Sequence, residues 1–454
     1  MTLENIVNLQ REYVRTGVTK DVHYRKDSLE RLLESINDNE PAIYDAVYKD
    51  LGKSKQETFL TEISSVKREI NYAIDNIEKW ARPRRVGEPV WLLPAKSRIY
   101  KEPYGVVLII APWNYPINLT LIPLVNALSA GNTVIIKGSK KCAHTTQALA
   151  SIINSTFDKK YVYAIDEPLS YDEIMAQKYD FIFFTGSERV GKTIMREAAS
   201  TLTPVLLELG GKCPCIINND ADIDNAAKQI AFGKILNAGQ TCIAPDYVVV
   251  PKELKSTFIA RLREQISEMV RDPFNNDAYP KIIDLHHFMR LSKYLSSDEG
   301  VIGGRKDDKQ MKIEPTIISE ATFDSEIMKE EIFGPILPII EYTDVNEIID
   351  IISRRSKPLA CYIFARDIDF IESTIETMSF GNCCINDCMI QLSNPRLPFG
   401  GVGTSGMGKY YGKQGFDTFS NTKTALITKN GINTKLKYPP YNEEGYISLK
   451  KLLK

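Results

Sequence analysis

Histidine is scarce in this chain: four in 454 residues, His23, His144, His286 and His287. Zinc sites draw on imidazoles and paired thiols, and the thiols here do not supply the second half. The eight cysteines (142, 213, 215, 242, 361, 383, 384 and 388) include Cys213-x-Cys215 and the run CCINDC, not the paired Cys-x-x-Cys of a zinc site. No metal is expected, and free thiols are the default for a cytosolic chain. Neither sign of charge dominates, with 57 Lys plus Arg against 58 Asp plus Glu and a net charge of -1. That excludes a global basic field for nucleic acid and an acidic tail. Long apolar runs are missing as well. The best, VVLIIAPW at 106–113, falls far short of the roughly 20 residues that span a bilayer. Glu4 and Arg11 leave no room for the apolar centre of a signal peptide. A cytoplasmic protein with no integral membrane segment and no nucleic-acid partner is the expectation. There is no internal repeat and no low-complexity segment.

What is present is an ordinary globular balance, 43% hydrophobic and 25% charged, in a chain long enough for two to four domains of about 150 residues. Residues 1–80 carry apolar residues at helical spacing. A Pro-containing stretch, 82–105, alternates like a hairpin. From 106 the texture changes. Buried-strand runs at 106–111, 133–137, 160–165 and 180–186 alternate with helical runs at 119–131, 143–157 and 187–200, then an extended run at 203–211. Such alternation with short connections predicts an α/β fold, a parallel sheet covered by helices on both faces. Sheets of that kind bind ligands beyond the carboxyl ends of their strands. A second alternating unit starts at CPCIINND (213–220), continues through a helical run, 221–239, and the strand YVVVP (247–251), and extends to LACYIFA (359–365). The tail, 431–454, is polar and basic and reads as a solvated or interface segment.

Several turns could carry chemistry. NAGQTC (237–242) places Cys242 after a helix in a turn of small residues, where backbone amides can face a developing charge. A thiol attacks as thiolate, yet a cysteine in a buried turn is more often a packing residue. ELGGK (208–212) ends a strand with Glu208, a general base if burial raises its pKa, or else a plain strand-end turn. APWNYP (111–116) is stiffened by two prolines and a tryptophan, so Asn114 could present a rigid amide to an oxyanion. FFTGSERVGK (183–192) sets Gly186 and Gly191 at a strand-to-helix junction suited to pyrophosphate. It lacks the full Gly-x-Gly-x-x-Gly fingerprint and the P-loop spacing.

Together, APWNYP, FFTGSERVGK, LELGGK, NAGQTCIAPDY, EEIFGPILPI (330–339) and PFGGVGTSGMGKYYGK (398–413) resemble the aldehyde dehydrogenase family, nearest its class 3 branch of fatty and aromatic aldehyde dehydrogenases. The motifs fall in the family's order, and the likeness runs from about residue 20 to about 430. The resemblance implies a Rossmann-like dinucleotide-binding domain (1–81 and 103–207), an α/β catalytic domain (208–405), and a small β-strand oligomerisation arm (82–102 and 406–430) followed by the tail. It implies oxidation of an aldehyde to its acid through a Cys242 thiohemiacetal and thioester. Asn114 and the Cys242 N–H would hold the oxyanion, and Glu208 would activate the hydrolytic water. NAD or NADP would be held by Lys137, Lys140, Gly186, Ser187, Gly191, Leu209, Gly210, Glu331 and Phe333. Tyr115, Ile243 and Asn386 would line the substrate pocket. Met389, Ile390 and Leu392 could extend an apolar tunnel, or be ordinary core. A homodimer acting on a small-molecule aldehyde is implied.

Three departures stand out. Lys137-Gly138-Ser139-Lys140 replaces the family's Lys-Pro-Ser-Glu, exchanging an acid that repels a 2′-phosphate for a cation. Asp166-Glu167 replaces a Gly-Gly pair near the adenine and pulls the other way, so relaxed NAD and NADP use is expected. Tyr411 stands where the family commonly carries a histidine. The rival readings are a coenzyme A-acylating aldehyde dehydrogenase, against which Glu208 argues, and a thiol esterase whose dinucleotide site has degraded.

Overall fold

The computed structural model describes residues 1–428 and 435–453. Of the tail, 431–434 and 454 therefore lie outside the described residues. The N-terminal helices Leu3–Arg15, Val22–Asp38, Glu40–Leu51 and Ser64–Ala81 match the helical spacing of that region. They bury Leu29, Leu32, Ile43, Val47 and Ile70 against the first sheet. Pro41, at the start of Glu40–Leu51, separates two helices that the sequence reads as one run.

The first sheet runs in the order Gly406–Met407, Val205–Glu208, Phe181–Thr185, Val106–Ile110, Thr133–Lys137 and Val162–Ala164. All its pairings are parallel except that of Gly406–Met407. The chain lays strands outward from Val106–Ile110 on one side, then crosses back to lay Phe181–Thr185 and Val205–Glu208 on the other. The switch point thus falls beyond the Val106–Ile110 strand, where the Asn114 turn emerges. The helix Asn118–Ala130 follows that turn. It is apolar nearly all round and buried at every position, as such a helix must be.

The second sheet has seven strands, in the order Val301–Ile302, Thr316–Ile318, Ile336–Tyr342, Tyr247–Pro251, Pro214–Ile217, Ala360–Phe364 and Asn382–Ile385. It too is parallel apart from its Val301–Ile302 edge. One buried cluster joins the two sheets, since Val107 and Ile109 share it with Ile217, Val248 and Tyr362. A third, antiparallel sheet pairs Arg84–Val86 with Lys96–Pro103 and that strand with Ser420–Ile427, end to end in sequence. The C-terminal stretch, Glu443–Leu452, is a helix with no buried residue. No helix among the described residues is long and apolar enough to cross a membrane.

Asn132 ties these parts together. Its Nδ2 donates to the Ala127 and Phe419 carbonyls at 3.1 and 2.9 Å, and its Oδ1 accepts from the Gly105 N–H at 3.1 Å. Asn132→Ala strands the Gly105 N–H and the Phe419 carbonyl, each costing about 1–3 kcal/mol, while the Ala127 carbonyl keeps the residue-132 N–H. A drop in melting temperature in a thermal unfolding scan is expected, and an unchanged melting point would show that the bridge contributes nothing.

Candidate active site

The helix predicted over 221–239 stops at Ile235. Asn237 and Ala238 then adopt left-handed backbone angles, φ 52° and 51°, which non-glycine residues rarely hold without outside support. The support is visible. The Asn237 N–H donates to Glu57 Oε1 at 2.8 Å. Asn237 Nδ2 donates to the Asn114 and Gln240 carbonyls at 2.9 and 3.1 Å. Gln240 is locked in turn, donating to the Lys281 carbonyl at 3.0 Å and accepting from the Ile283 N–H at 3.0 Å. Cys242 follows this turn, half-buried and free. Asn114, 3% exposed, closes the ring by donating through Nδ2 to the Gln240 carbonyl at 3.1 Å. The structure therefore brings Asn114 and the Cys242 turn into direct contact across 126 residues of chain.

Glu208 ends the Val205–Glu208 strand and is 2% exposed. Neither carboxyl oxygen has a hydrogen-bond partner among the described residues. Burial pushes its pKa well above the usual carboxylate range, opposed only by Lys409. Lys409 is anchored on the Gly381 carbonyl at 2.9 Å and on the Gly400 carbonyl. Gly400 holds φ +155°, and a Cβ there would meet Glu208 Oε1 at 2.7 Å, so only glycine lets this loop close over the acid. The Cys242 thiol is also pushed up, first by desolvation and then by Glu331 and Glu208. The N–H groups of Cys242 and Ile243 face the sulfur and oppose that rise. Thiol, Glu208 and Glu331 thus sense one another electrostatically.

The cleft beyond the first sheet fits a dinucleotide. Ser187 caps the helix Glu188–Ala199 without a side-chain bond, leaving the first-turn N–H groups available to an anion. A Cβ at Gly191 would strike Leu209, and one at Gly186 would strike the Phe184 ring, so the backbone here approaches as closely as it can. At Gly210 a Cβ would lie 2.0 Å from Glu331 Oε2. Glu331 accordingly rests on the Gly210–Gly211 turn, accepting from the Gly211 N–H, with its pKa pushed up to about 8 by burial and Asp246. Phe333, at φ +50°, meets the Trp113 ring edge-on at 5.4 Å. A slot farther along is lined by Ile136, Gly138, Ser139, Leu149, Ala164 and Ile165. Lys137 sits at its end, donating to the Gly138 carbonyl at 3.0 Å. Lys140 is exposed with no ion pair among the described residues, whereas Lys141 pairs with Asp284 at 2.7 Å. Asp166 is occupied, accepting from Tyr163 at 2.8 Å and from Asn154 at 3.3 Å.

The expected substrate-side residues disperse. Tyr115 is buried beside the site, its hydroxyl sharing a 2.7 Å hydrogen bond with Thr241. Ile243 is 1% exposed, and its carbonyl accepts from Tyr362 at 2.6 Å. The Asn386 amide is spent on the Ala365 backbone, at 3.0 and 2.8 Å, where it clasps the end of Ala360–Phe364. An open cavity is lined instead by Cys383, Leu392, Leu397, Phe399 and Tyr411, with neither Ile243 nor Asn386 among the described lining residues. Tyr411, the departure from the family's histidine, is buried and feels both Glu208 and Cys242. Met389 holds φ +66° and Ile390 is exposed.

The sequence reading missed the supports: Lys53, Glu57, Glu62 and Lys409. Lys409 lay inside a quoted motif, but its closeness to Glu208 depends on a strand pairing, Gly406 with Glu208, made across 198 residues. Glu57 and Glu62 lie in KQETFLTEIS, outside the motifs singled out in the sequence.

A thiol and a desolvated carboxyl that sense each other, with an amide donor gripping the thiol's turn, form a site suited to covalent chemistry. A family model described as the aldehyde dehydrogenase family matches residues 5–425. The chain is 42% identical, over 94% of each chain, to 4,4'-diaponeurosporen-aldehyde dehydrogenase of Staphylococcus aureus. It is 40% identical to aldehyde dehydrogenase family 3 member F1 of Arabidopsis thaliana, over 97% of this chain and 93% of the relative. A solved substrate-bound AldH of Staphylococcus aureus superposes with TM-score 0.96 at 40% identity, covering both chains fully. Betaine aldehyde dehydrogenase from Staphylococcus aureus, solved with NAD+, superposes at 0.83 and 26% identity, over 94% of this chain and 87% of the other. This chain belongs to the aldehyde dehydrogenase family and is an oxidoreductase acting on aldehydes.

Because the Cys242 thiol is raised above its ordinary value, labelling of the free protein by iodoacetamide should still be accelerating at pH 9. A plateau below pH 8, followed by mass spectrometry of the Cys242 peptide, would contradict the electrostatics described.

Proposed function

We propose that the chain oxidises an apolar aldehyde to its carboxylic acid by covalent catalysis at Cys242. The observation that carries this reading is Glu208, a buried carboxyl without a partner, electrostatically coupled to a thiol whose turn is gripped by an amide donor. The Cys242 thiolate adds to the aldehyde carbonyl. The second N–H of the Asn114 amide and the Cys242 N–H hold the oxygen as it gains charge; one such donor is typically worth about 2.7–4 kcal/mol. NAD or NADP, when bound, would supply the hydride acceptor needed to bring the Cys242 adduct to the thioester level. Gly186, Ser187, Gly191, Leu209, Gly210, Glu331 and Phe333 would hold it, with Lys137 and Lys140 toward the adenosine end. Glu208 then takes a proton from water, which attacks the thioester and releases the acid. Its raised pKa makes the ionised carboxylate a stronger proton acceptor than an exposed one. A base in this position favours water over coenzyme A as the acyl acceptor.

The cavity of Leu392, Leu397, Phe399 and Tyr411 suits an apolar substrate chain. The likeness to the staphylococcal 4,4'-diaponeurosporen-aldehyde dehydrogenase supports the same class. At the adenosine end, Lys140 is unpaired among the described residues and Asp166 is engaged by Tyr163, so we assign use of NADP alongside NAD. The exposed three-stranded sheet of 84–86, 96–103 and 420–427 is the arm through which two cytoplasmic copies pair.

Three outcomes are expected. Cys242→Ala leaves no more than a few per cent of aldehyde oxidation, and greater residual turnover would refute the nucleophile. Glu208→Gln keeps a single burst of reduced cofactor in stopped-flow traces while steady-state turnover falls about 10²-fold or more; an unaltered steady state clears Glu208 of the base role. NAD and NADP dissociation constants lie within about a hundredfold, roughly 2.8 kcal/mol, and titration by fluorescence would expose a larger gap.

A further inference from the structure

We infer that Lys53, Glu57 and Glu62 form a positioning cluster that sets the distance between the two walls of the oxyanion site, with Lys53 at its centre. The inference rests on the assignment of Cys242 and Asn114 above. All three residues come from one short stretch outside every motif that marks the family. The helix Lys55–Thr58 passes into five residues, Phe59–Ile63, of π-helical geometry before Ser64–Ala81 resumes. A π turn adds a residue without breaking the helix, and such insertions concentrate at functional sites. Here it serves two carboxylates five positions apart that grip different loops.

On one wall, Glu57 accepts from the Asn237 N–H at 2.8 Å, within the left-handed turn that leads to Cys242. On the other, Glu62 Oε2 accepts from the Ile117 N–H at 2.8 Å, in the turn that carries Asn114. Lys53 joins them. Its Nζ donates to Glu62 Oε1 at 2.7 Å and to the Asn114 carbonyl at 3.2 Å, and lies 4.1 Å from the centre of the Tyr115 ring. Asn237 Nδ2 reaches the same Asn114 carbonyl at 2.9 Å, so that oxygen is held from both walls. The Lys53 and Glu62 side chains are 0% exposed. Burying an ion pair so fully seldom gains stability over an apolar replacement, so stability alone does not account for it. Placement does, because oxyanion donors act only when preorganised, and a displacement of about 1 Å can cost on the order of 10²-fold in rate. None of the three touches the thiol or the substrate; they act through Asn114 and Asn237.

The cluster also carries a pH dependence. Glu57 faces Lys53 and Glu62 from its own stretch, Tyr115 from the Asn114 turn and Tyr279 from the second unit. Desolvation pushes its pKa up to about 7 although Lys53 pulls it down. Above that pH the ionised carboxylate is the stronger acceptor for the Asn237 N–H and holds the wall more firmly.

The test compares two reactions of Cys242 that need no dinucleotide. Acylation by p-nitrophenyl acetate forms the sulfur–carbonyl bond through a tetrahedral oxyanion and expels p-nitrophenolate. Alkylation by iodoacetamide displaces iodide and forms no oxyanion. Lys53→Met should slow acylation about 10- to 100-fold while alkylation changes less than about twofold. Unchanged acylation, or equal losses in both reactions, overturns the proposal. Glu57→Gln keeps an acceptor for Asn237 and serves if Lys53→Met does not fold. In the wild type the ratio of acylation to alkylation rises as pH passes about 7, and in Glu57→Gln it is flat; the same profile in both overturns the proposal. Cys242→Ala run in parallel separates the two levels. Acylation that survives this change refutes the nucleophile itself, whereas loss of acylation with an indifferent Lys53→Met refutes the cluster alone.

Discussion

Asn114 and Asn237 hold each other. One sits just past the central strand of the first sheet, the other in a strained turn ahead of a strand of the second, and each uses its amide on the other's loop or backbone. This exchange joins two separately built sheets at one site. The left-handed angles at Asn237 and Ala238 are held by it together with the Glu57 carboxyl and the bonds between Asn237 and Gln240. The buried helix Asn118–Ala130 and the Asn132 bridge then fix the turn's far side to the sheet. What reads as a catalytic constellation is mechanically a joint between two sheets.

The joint also creates an electrostatic difficulty. A thiol and two carboxyls occupy ground from which water is largely excluded, and all three are pushed toward their neutral forms. A group kept neutral by burial in the free protein takes its charged form only when a ligand or a proton acceptor changes its surroundings. Lys409, held by two backbone carbonyls, is the one nearby cation that lowers the Glu208 pKa. Glu331 lies on the Gly210–Gly211 turn, where the Gly211 N–H partly offsets its desolvation.

Much of the fold was legible in sequence because alternation is a local property. Buried strands such as VVLII and FIFFT have no polar face, and they occur with helices between them, which dictates a parallel sheet. Cys242, Glu208 and Asn114 stood out as candidates because each ends an element in a turn with unusual residues. The pocket residues stood out less. Ile243 and Asn386 sit close to site motifs in the chain, yet the packing of the turn after Cys242 and a backbone clasp past a strand end turn them toward the core and the backbone. Chain proximity says nothing about which way a side chain faces at the end of a strand.

The sequence by itself determined the family and the α/β fold, since those depend on periodicity and on short contiguous motifs, and it singled out a thiol, an acid and an amide as candidates. Only the tertiary structure decided which acids support the site and which merely solvate the surface. Glu57 and Glu62 differ from any exposed glutamate only through loops 55 to 180 residues away that supply their N–H partners. Desolvation, which turns these carboxylates into precise supports, is a property of the assembled packing and is written in no local stretch of the chain.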